Sequence, residues 1–184
     1  MSKISDYTFI TSNKNKALEI RQILGPGIKI KELDLDEIQS LDIDKVIKAK
    51  AKSAYQIVQK PVIVEDISFE VKALNGLPGP FIKFFLMSLG TEGLVKLIGK
   101  NPSNTIVTAA IGAYDGHEIK IIKGVVKGTL SKTNKGESGF AFDKIFIPAG
   151  YKKTYAQLDK KIKNKISHRA KVLKKLKEYL TKDK

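Results

Sequence analysis

The segment from residue 163 to residue 169 combines residue types that are suited to binding an anion. Its seven positions hold three Lys/Arg cations, one of the two histidines and a hydroxyl. The apolar residues that follow recur at spacings of three and four, which predicts a helix with Ser167 as its N-cap. Arg169 then lies in the first turn, where acidic residues are favoured over cations. Local stability does not explain this cation, whereas an anionic ligand would; the alternative is a solvated basic face.

Three carboxylates have the chemistry to hold a hard metal ion. Glu37 lies in an acidic loop, and Glu65 and Asp66 directly follow the apolar run at residues 61–64, which is typical of a strand buried on both faces. The carboxyl ends of such strands line the usual ligand crevice of open α/β sheets. Neighbouring side chains of a strand point to opposite faces, so one acid could bind a metal while the other supports it. The alternative is a pair of solvated acids.

Any bound metal must be held by these carboxylates. The chain has no cysteine and two histidines, which excludes disulfides, thiolate metal sites and cysteine nucleophiles and argues against a multi-histidine zinc site. Oxygen ligands point to Mg²⁺, with Mn²⁺ as the alternative.

A second group of residues is suited to a phosphate chain. Thr11, Asn13 and Lys16 lie between a predicted strand and a predicted helix, where backbone N–H groups and the positive end of the helix dipole face outwards. The spacing differs from that of a Walker loop. Taken alone, the turn is better explained by a surface helix that Asn13 caps. Lys50 follows on a helix with several other lysines, and we find no spacing that distinguishes it from them.

An aromatic residue next to small ones has the chemistry to stack on a base. Phe140 lies between the small residues Gly139 and Ala141, and Asp143 could accept hydrogen bonds from the N–H groups of a base ring. From the pattern alone, the better explanation is that Phe140 and Phe142 both belong to the core. His117 is expected to be exposed in a hairpin turn.

Size and charge limit what the chain can be. Its 184 residues fit one domain, and 42% hydrophobic and 29% charged residues are typical of a soluble globular protein. The net charge is +15, concentrated in residues 150–184, which predicts an anionic partner such as a nucleic acid, a nucleotide or another phosphate ester. No apolar run reaches the roughly 20 residues of a membrane helix. The first residues do not resemble a signal peptide, so we expect a cytoplasmic location.

The elements that must position these residues alternate along the chain. The patterns predict strands over residues 7–11, 28–33, 61–64, 68–74, 105–114 and 118–126. They predict helices over about residues 17–24, 44–58, 81–89, 94–98 and 167–180. A turn at Asp115 and Gly116 joins the last two strands. Early alternation followed by a hairpin predicts an α/β protein with a mixed sheet.

These segments, taken in order, resemble the inosine triphosphate pyrophosphatase family. The resemblance covers almost the whole chain, from Thr11 to Arg169, and the ordered set is far more specific than any single piece. The Gly-Leu-Pro-Gly-Pro loop at residues 76–80 and the Ser-His-Arg triplet at residues 167–169 carry most of it. The other matching pieces are Thr11-Ser12-Asn13 with Lys16, Val64-Glu65-Asp66, residues 73–75, Gly139-Phe140 with Asp143 and Phe146, and Lys163-Asn164.

The resemblance implies an α/β fold with an elongated, twisted mixed β-sheet flanked by helices, in which one domain, residues 1–184, forms two lobes with an active-site cleft between them. It implies a homodimer that uses Mg²⁺ to hydrolyse ITP, dITP and XTP to the monophosphate and pyrophosphate, which cleanses the nucleotide pool. The implied catalytic residues are Asp66, Lys16 and Lys50, and the implied metal ligands are Glu37, Asp66 and Glu65. The implied substrate contacts are Thr11, Asn13, Lys16, Lys50, Ser68, Phe140, Asp143, Lys163, Ser167, His168 and Arg169.

The chain departs from the family pattern at a few positions. Ser12 and Ala141 stand where the family usually has glycine, and Ile67-Ser68 stands where Thr-Gly is common. Ser12 is expected to narrow the approach to a phosphate, because glycine lets the backbone come closest. None of these departures removes a charged residue that the resemblance assigns to the chemistry.

Two other functions stay open at this point. A non-enzymatic nucleic-acid-binding protein explains the positive charge equally well, but it does not explain Glu37, Glu65 and Asp66, which repel phosphate unless a cation bridges them. The nearer alternative is a pyrophosphatase for other modified nucleoside triphosphates. We therefore expect purine nucleoside triphosphates as partners, and neither a nucleic acid nor a membrane.

Overall fold

One mixed sheet organises the chain. The computed structural model describes residues 4–101 and 103–181, and within them seven strands share this sheet. The strands are β1 (Thr8–Ile10), β2 (Lys29–Lys31), β3 (Val62–Val71), β4 (Pro78–Gly79), β5 (Thr105–Tyr114), β6 (Ile119–Leu130) and β7 (Phe146–Pro148). Their order is β2-β1-β3-β5-β6-β7, with β4 also paired to β3. Strands β2, β1 and β3 run parallel and the other pairs are antiparallel, which confirms the predicted mixed α/β sheet.

Helices cover both faces of this sheet. The described residues form α1 (Lys14–Leu24), α2 (Ile43–Val58), α3 (Ile82–Ile98), α4 (Lys160–Ile166) and α5 (His168–Thr181). On one face, Ile63 and Phe69 of β3 share a core with residues of α1, α3 and α5. On the other face, Val64 packs with Ile47 and Ala51 of α2. The pleat of β3 therefore directs Glu65 towards α1 and α5, and Asp66 towards α2.

An interruption in strand pairing opens one edge of β3. Strand β1 pairs with residues 62–64, whereas β4 pairs with Phe69 and Glu70 farther along the same edge. In the described part of the chain, residues 65–68 have β5 as a neighbour on the other edge and no strand on this one. The two predicted acids lie in this interval. The long strands β3, β5 and β6 connect all the other strands, so the sheet is one continuous layer. The division of the domain into two lobes stays a prediction.

Some predicted element boundaries were wrong. Strand β3 does not end at Glu65 and Asp66 but continues to Val71, because basic partners neutralise both acids and let them stay inside the strand. The helices predicted over 81–89 and 94–98 correspond to α3, which is interrupted where Gly90 has a positive φ. The short elements β4, β7 and α4 were not predicted.

Several predicted features are confirmed. Ser167 caps α5, since its Oγ accepts the N–H of Ala170 at 3.1 Å. The hairpin turn carries an exposed His117, and the side chain of Asp115 accepts two backbone N–H groups there. In residues 4–101 and 103–181, no helix has the length and apolar character needed to cross a membrane.

Candidate active site

A cleft of about 670 Å³ lies against the open edge of β3. It brings together side chains that are far apart in the sequence. They come from the β1–α1 turn and the start of α1, the loop before α2, α2 itself, β3, α3, the loop after β6, α4 and the start of α5. The predicted site residues that line it are Thr11, Asn13, Lys16, Glu37, Lys50, Asp66, Phe140, Asp143, Lys163, His168 and Arg169. Three predicted site residues do not line it, namely Glu65, Ser68 and Ser167.

The β1–α1 turn directs the positive end of α1 at the cleft. The Oδ1 atom of Asn13 accepts the N–H of Lys16 at 3.0 Å and caps the helix. The Oγ1 atom of Thr11 accepts the N–H of Asn13 at 3.1 Å and fixes the turn. Asn13 is thus both the cap and a cleft residue, so the two explanations offered by the sequence are compatible. A helix start of this kind attracts phosphate oxygens.

Lys50 joins the two carboxylates on the α2 side of the cleft. Its Nζ atom donates a hydrogen bond to Glu37 and lies 3.4 Å from Oδ2 of Asp66. Lys50 is distinguishable in the sequence after all, because it shares the buried stripe of α2 with Ile43, Ile47 and Ala54. The other lysines of the helix lie on its wet face, namely Lys45, Lys48 and Lys52. Helical phase was the signal that the spacing analysis missed.

The charges around Asp66 shift its pKa and those of two lysines. Burial alone would raise the pKa of Asp66, but Lys16, Lys50 and the N–H of Ile67 lower it below its usual value, so the group is ionised. Burial lowers the pKa of Lys16 despite the nearby Glu65 and Asp66. Burial also lowers the pKa of Lys50, but the charges of Asp66 and Glu37 outweigh this effect, so the pKa of Lys50 is raised overall. Lys50 is therefore the firmly charged cation of the pair.

Glu65 lies on the opposite face of β3 and is engaged by Arg169. Both carboxylate oxygens accept hydrogen bonds from the guanidinium, at 2.8 Å from Nε to Oε1 and 3.0 Å from Nη2 to Oε2. Nη1 of Arg169 donates to Glu19, a residue of α1 that the sequence analysis did not identify. Two carboxylates thus neutralise the charge of this cation in the first turn of α5. The structure does not place Glu65 with Glu37 and Asp66, because the strand pleat separates them.

Glu19 connects this pair to a second buried ion pair. Nζ of Lys163 lies 2.7 Å from Oε1 of Glu19 and 2.5 Å from Oδ2 of Asp143. Burial raises the pKa of Glu19, but the charges of Arg169 and Lys163 outweigh this effect, so the pKa is lowered overall. The pKa of Asp143 is instead raised overall, because burial raises it more than Lys163 lowers it. The signal for Glu19 was its place beside the buried Ile20, on the face of α1 that carries Lys16.

The two phenylalanines of the loop after β6 have different positions. Phe142 is buried against Phe69 and Phe146, whereas Phe140 is half-buried and lines the cleft. Nζ of Lys163 lies 5.1 Å and Cζ of Arg169 5.7 Å from the centre of the Phe140 ring. The core explanation therefore holds for Phe142 and is wrong for Phe140. Both cations hold the ring by cation–π attraction at the cleft wall.

Gly139 is required for this loop. Its φ is +83°, and an added Cβ would lie 2.3 Å from Oδ2 of Asp143. That oxygen accepts the N–H of Phe140 at 2.9 Å and closes the turn. Ala141, two residues after Gly139, also has a positive φ of 53°, which is costly for a residue with a Cβ and favours glycine at this position.

The remaining predicted residues have structural contacts. The hydroxyl of Ser68 donates to Glu70 at 2.8 Å, on the face of β3 that carries Asp66. Ser167 is buried and caps α5. His168 lines the cleft, and burial, with Arg169 and Lys163 nearby, lowers its pKa well below 6.5, so the imidazole is neutral. Its Nδ1 is buried without a hydrogen-bond partner in the part of the chain that the structure describes.

The comparison with known proteins decides the family. A model of the Ham1 family matches residues 7–179. The chain belongs to the Ham1 family. The inosine triphosphate pyrophosphatase of Scheffersomyces stipitis is 40% identical over 193 residues, covering 96% of this chain and 98% of the relative. The dITP/XTP pyrophosphatase of Saccharolobus solfataricus is 37% identical over 175 residues, covering 93% and 91%. A HAM1 protein from Coxiella burnetii shares the fold, with a TM-score of 0.81 at 24% identity and coverage of 96% and 98%.

The cleft of this Ham1 family member fits a hard divalent cation. The carboxylates of Glu37 and Asp66 both pair with the Nζ atom of Lys50. A metal ion bound close to this atom would therefore have two carboxylates as ligands. Within the described residues, no group of three or more His, Cys, Asp or Glu side chains could hold a metal. Mg²⁺ needs no such group, because it usually keeps several waters and binds one or two carboxylates together with substrate phosphates.

The Ham1 cleft thus has two chemically distinct ends. At one end, the start of α1, Lys16, Lys50 and the carboxylates of Glu37 and Asp66 suit a phosphate chain with a bound cation. At the start of α5, an aromatic ring backed by cations suits a flat base. A nucleotide with an extended phosphate chain is the ligand class that fits both ends at once.

Proposed function

We propose that this protein hydrolyses non-standard purine nucleoside triphosphates, ITP, dITP and XTP, to the monophosphate and pyrophosphate. The observation that carries the proposal is the convergence of Lys16, Lys50 and Asp66 at one end of a cleft whose other end presents Phe140. The names of the relatives support the same substrates, since one is an inosine triphosphate pyrophosphatase and another a dITP/XTP pyrophosphatase.

The phosphate end supplies positioning and charge. Water attacks the α-phosphorus, and the bond from that phosphorus to the oxygen bridging the α- and β-phosphates breaks, so pyrophosphate leaves. Asp66, ionised because of its low pKa, accepts a hydrogen bond from the attacking water and orients it. Lys16 and Lys50 neutralise charge that develops on the departing oxygens. Glu37 and Asp66 would hold Mg²⁺, which would further neutralise the phosphate charges.

The base end supplies selectivity. Phe140 stacks on the purine, and its ring is already fixed by the two cations behind it. The wall formed by Lys163, His168 and Arg169 is rich in hydrogen-bond donors, which match the 6-oxo group of hypoxanthine and xanthine. Adenine presents an amino donor at that position, and ATP would leave two donors facing each other.

The assembly and location belong to the same proposal. The protein acts as a homodimer in the cytoplasm, in keeping with the family resemblance. Sedimentation of the purified protein tests the first statement, and fractionation of the source cells tests the second. A monomer at all concentrations would contradict the dimer without touching the proposed reaction.

A substrate panel tests the proposed reaction. Pyrophosphate release is measured with ITP, XTP, GTP and ATP, each with Mg²⁺ and with an excess of chelator, and the nucleoside monophosphate is identified in parallel. We expect kcat/KM for ITP and XTP to exceed that for ATP by at least about 10²-fold, because a mismatched donor is left unpaired. Equal values for ITP and ATP would overturn the selectivity. Binding of DNA that weakens steeply with salt, without turnover of any triphosphate, would favour the nucleic-acid-binding alternative.

A further inference from the structure

A short turn outside the cleft holds the loop that carries Phe140. This loop, residues 131–145, connects β6 to β7 and brings Phe140 and Asp143 to the base end of the cleft; we call it the base loop. Most of residues 132–139 are exposed and belong to no helix or strand, so ordering them costs conformational entropy. The turn at residues 154–157, between β7 and α4, offsets this cost, and we call it the anchoring turn.

The anchoring turn is hydrogen-bonded to the base loop at three places. The buried hydroxyl of Thr154 donates to the carbonyl oxygen of Lys135 at 2.8 Å. The hydroxyl of Ser138 donates to the carbonyl oxygen of Ala156 at 2.7 Å. The N–H of Ala156 donates to the carbonyl oxygen of Asp143 at 3.0 Å. The bonds therefore reach from the exposed part of the base loop to a residue that lines the cleft.

The anchoring turn also packs closely against both parts of the base end. At Gly136 of the base loop, φ is +87° and an added Cβ would lie 2.4 Å from the backbone carbonyl carbon of Ala156. The ring of Tyr155 is fully buried, and its centre lies 5.0 Å from that of Phe146 and 5.7 Å from Nζ of Lys163. The turn thus contacts the base loop and the cationic wall beside it.

A series of hydrogen bonds leads from the anchoring turn to Phe140. The turn fixes the backbone of Asp143, and Oδ2 of that residue accepts the N–H of Phe140 at 2.9 Å. The turn is itself closed by a capping box, in which Oε1 of Gln157 accepts the N–H of Thr154 at 3.1 Å. Neither Thr154 nor Gln157 lines the cleft.

We propose that Thr154 and Gln157 are positioning residues for base binding, which hold the base loop so that Phe140 lies in its binding position before a nucleotide enters. The inference rests on the function proposed above and extends it to residues outside the cleft. A preorganised loop loses less entropy when the base binds. Because the reacting phosphate lies at the other end of the cleft, loosening the anchoring turn should raise KM and leave kcat unchanged.

Substitutions of Thr154 test this role in the full chain. Thr154→Val replaces the hydroxyl with a methyl group of similar size and removes the bond to Lys135. We expect KM for ITP to rise about 3- to 10-fold at unchanged kcat, from the loss of one buried hydrogen bond. Thr154→Ser keeps the hydroxyl and should restore the wild-type KM. Thr133→Val is the matched control and should leave KM unchanged, because it makes the same chemical change at an exposed position of the base loop.

Substitutions of Gln157 are a milder test, because its side chain is exposed. Gln157→Ala removes the oxygen that accepts the N–H of Thr154 and opens no cavity in the core, whereas Gln157→Glu keeps an accepting oxygen. We expect the alanine variant to raise KM for ITP at least about twofold and the glutamate variant to match the wild type.

Two ligands distinguish positioning of the base loop from a general distortion of the cleft. IMP carries the base with a single phosphate, and inorganic tripolyphosphate carries the phosphate chain without a base. Isothermal titration calorimetry measures the affinity of the wild type and of each variant for both ligands. We expect Thr154→Val to weaken IMP binding by the same factor as it raises KM for ITP, with the affinity for tripolyphosphate unchanged.

The outcomes separate this inference from the proposed reaction. A KM within twofold of the wild type in Thr154→Val, equal losses of IMP and tripolyphosphate affinity, or no recovery in Thr154→Ser overturns the positioning role. If Thr154→Val does not fold, the Gln157 pair decides, and equal KM values for its two variants overturn the role. A wild type that binds IMP but hydrolyses no triphosphate overturns the reaction alone, since IMP titration still tests the anchoring turn. A wild type that binds neither ITP nor IMP overturns both.

Discussion

Glu65 and Asp66 are adjacent in the chain, yet their carboxylates lie on opposite faces of β3. Glu65 is held by Arg169 among α1 and α5, whereas Asp66 lies 3.4 Å from Lys50 on the α2 side. The open edge between β1 and β4 brings Asp66 to the cleft. One strand interval thus supplies a structural carboxylate and a candidate catalytic one.

Substitution of Asp66 should lower activity, whereas substitution of the neighbouring Glu65 should lower stability. Asp66→Asn removes the charge that orients water, and we expect kcat for ITP to fall by at least about 10²-fold with folding intact. Glu65→Gln breaks a buried ion pair, and we expect the free energy of unfolding to fall by about 3–5 kcal/mol. Steady-state kinetics and urea unfolding of both variants provide the measurement. Near-normal turnover by Asp66→Asn would remove that residue from the mechanism.

Phe140 and Phe142 offer a matched pair at the base end. Phe140→Ala removes the stacking ring, which is worth about 1–3 kcal/mol, so binding of ITP should weaken about 5- to 150-fold with little loss of stability. Phe142→Ala opens a cavity in the core and should cost about 3–5 kcal/mol of unfolding free energy. Isothermal titration calorimetry and thermal unfolding distinguish the two. Unchanged ITP affinity in Phe140→Ala would show that the base does not stack there.

Acid should destabilise the protein through Glu19 and Asp66. Both pKa values are lowered in the fold, so their stabilising contribution is complete above the ordinary values, near 4. It is lost as the pH falls through the lower folded values. Asp143 opposes this trend, because its raised pKa favours the proton in the fold. Urea unfolding at a series of pH values should show a smaller acid loss in Glu19→Gln than in the wild type; identical slopes would contradict the role of Glu19.

Ala141 should be replaceable with a gain in stability. Its φ of +53° is a conformation that costs a residue with a Cβ about 1–2 kcal/mol and costs glycine almost nothing. We expect Ala141→Gly to raise the free energy of unfolding by about 1 kcal/mol. Ala149→Gly is the control, since Ala149 is exposed and lacks a positive φ, and it should be neutral or slightly destabilising. Equal effects of the two changes would argue against strain at Ala141.

The sequence by itself determined the family, the mixed sheet and most members of the cleft. Hydrophobic period and turn residues predicted the long strands and helices, because these patterns are local and repeat over many residues. The cap at Ser167 followed from its place just before an apolar stripe. Short elements such as β4 and β7 carry too few residues for a period and were not predicted.

Only the tertiary structure decided how the charges pair. The sequence predicted an anionic ligand for Arg169 and a metal ion for Glu65, yet the fold pairs these two residues with each other across a separation of 104 residues. Glu19 could be located from its place on the buried face of α1, but its partners Lys163 and Arg169, which lie 144 and 150 residues away, could not be predicted. The electrostatic partners of a buried charge are set by which elements pack against each other, and that arrangement is not a property of any local segment.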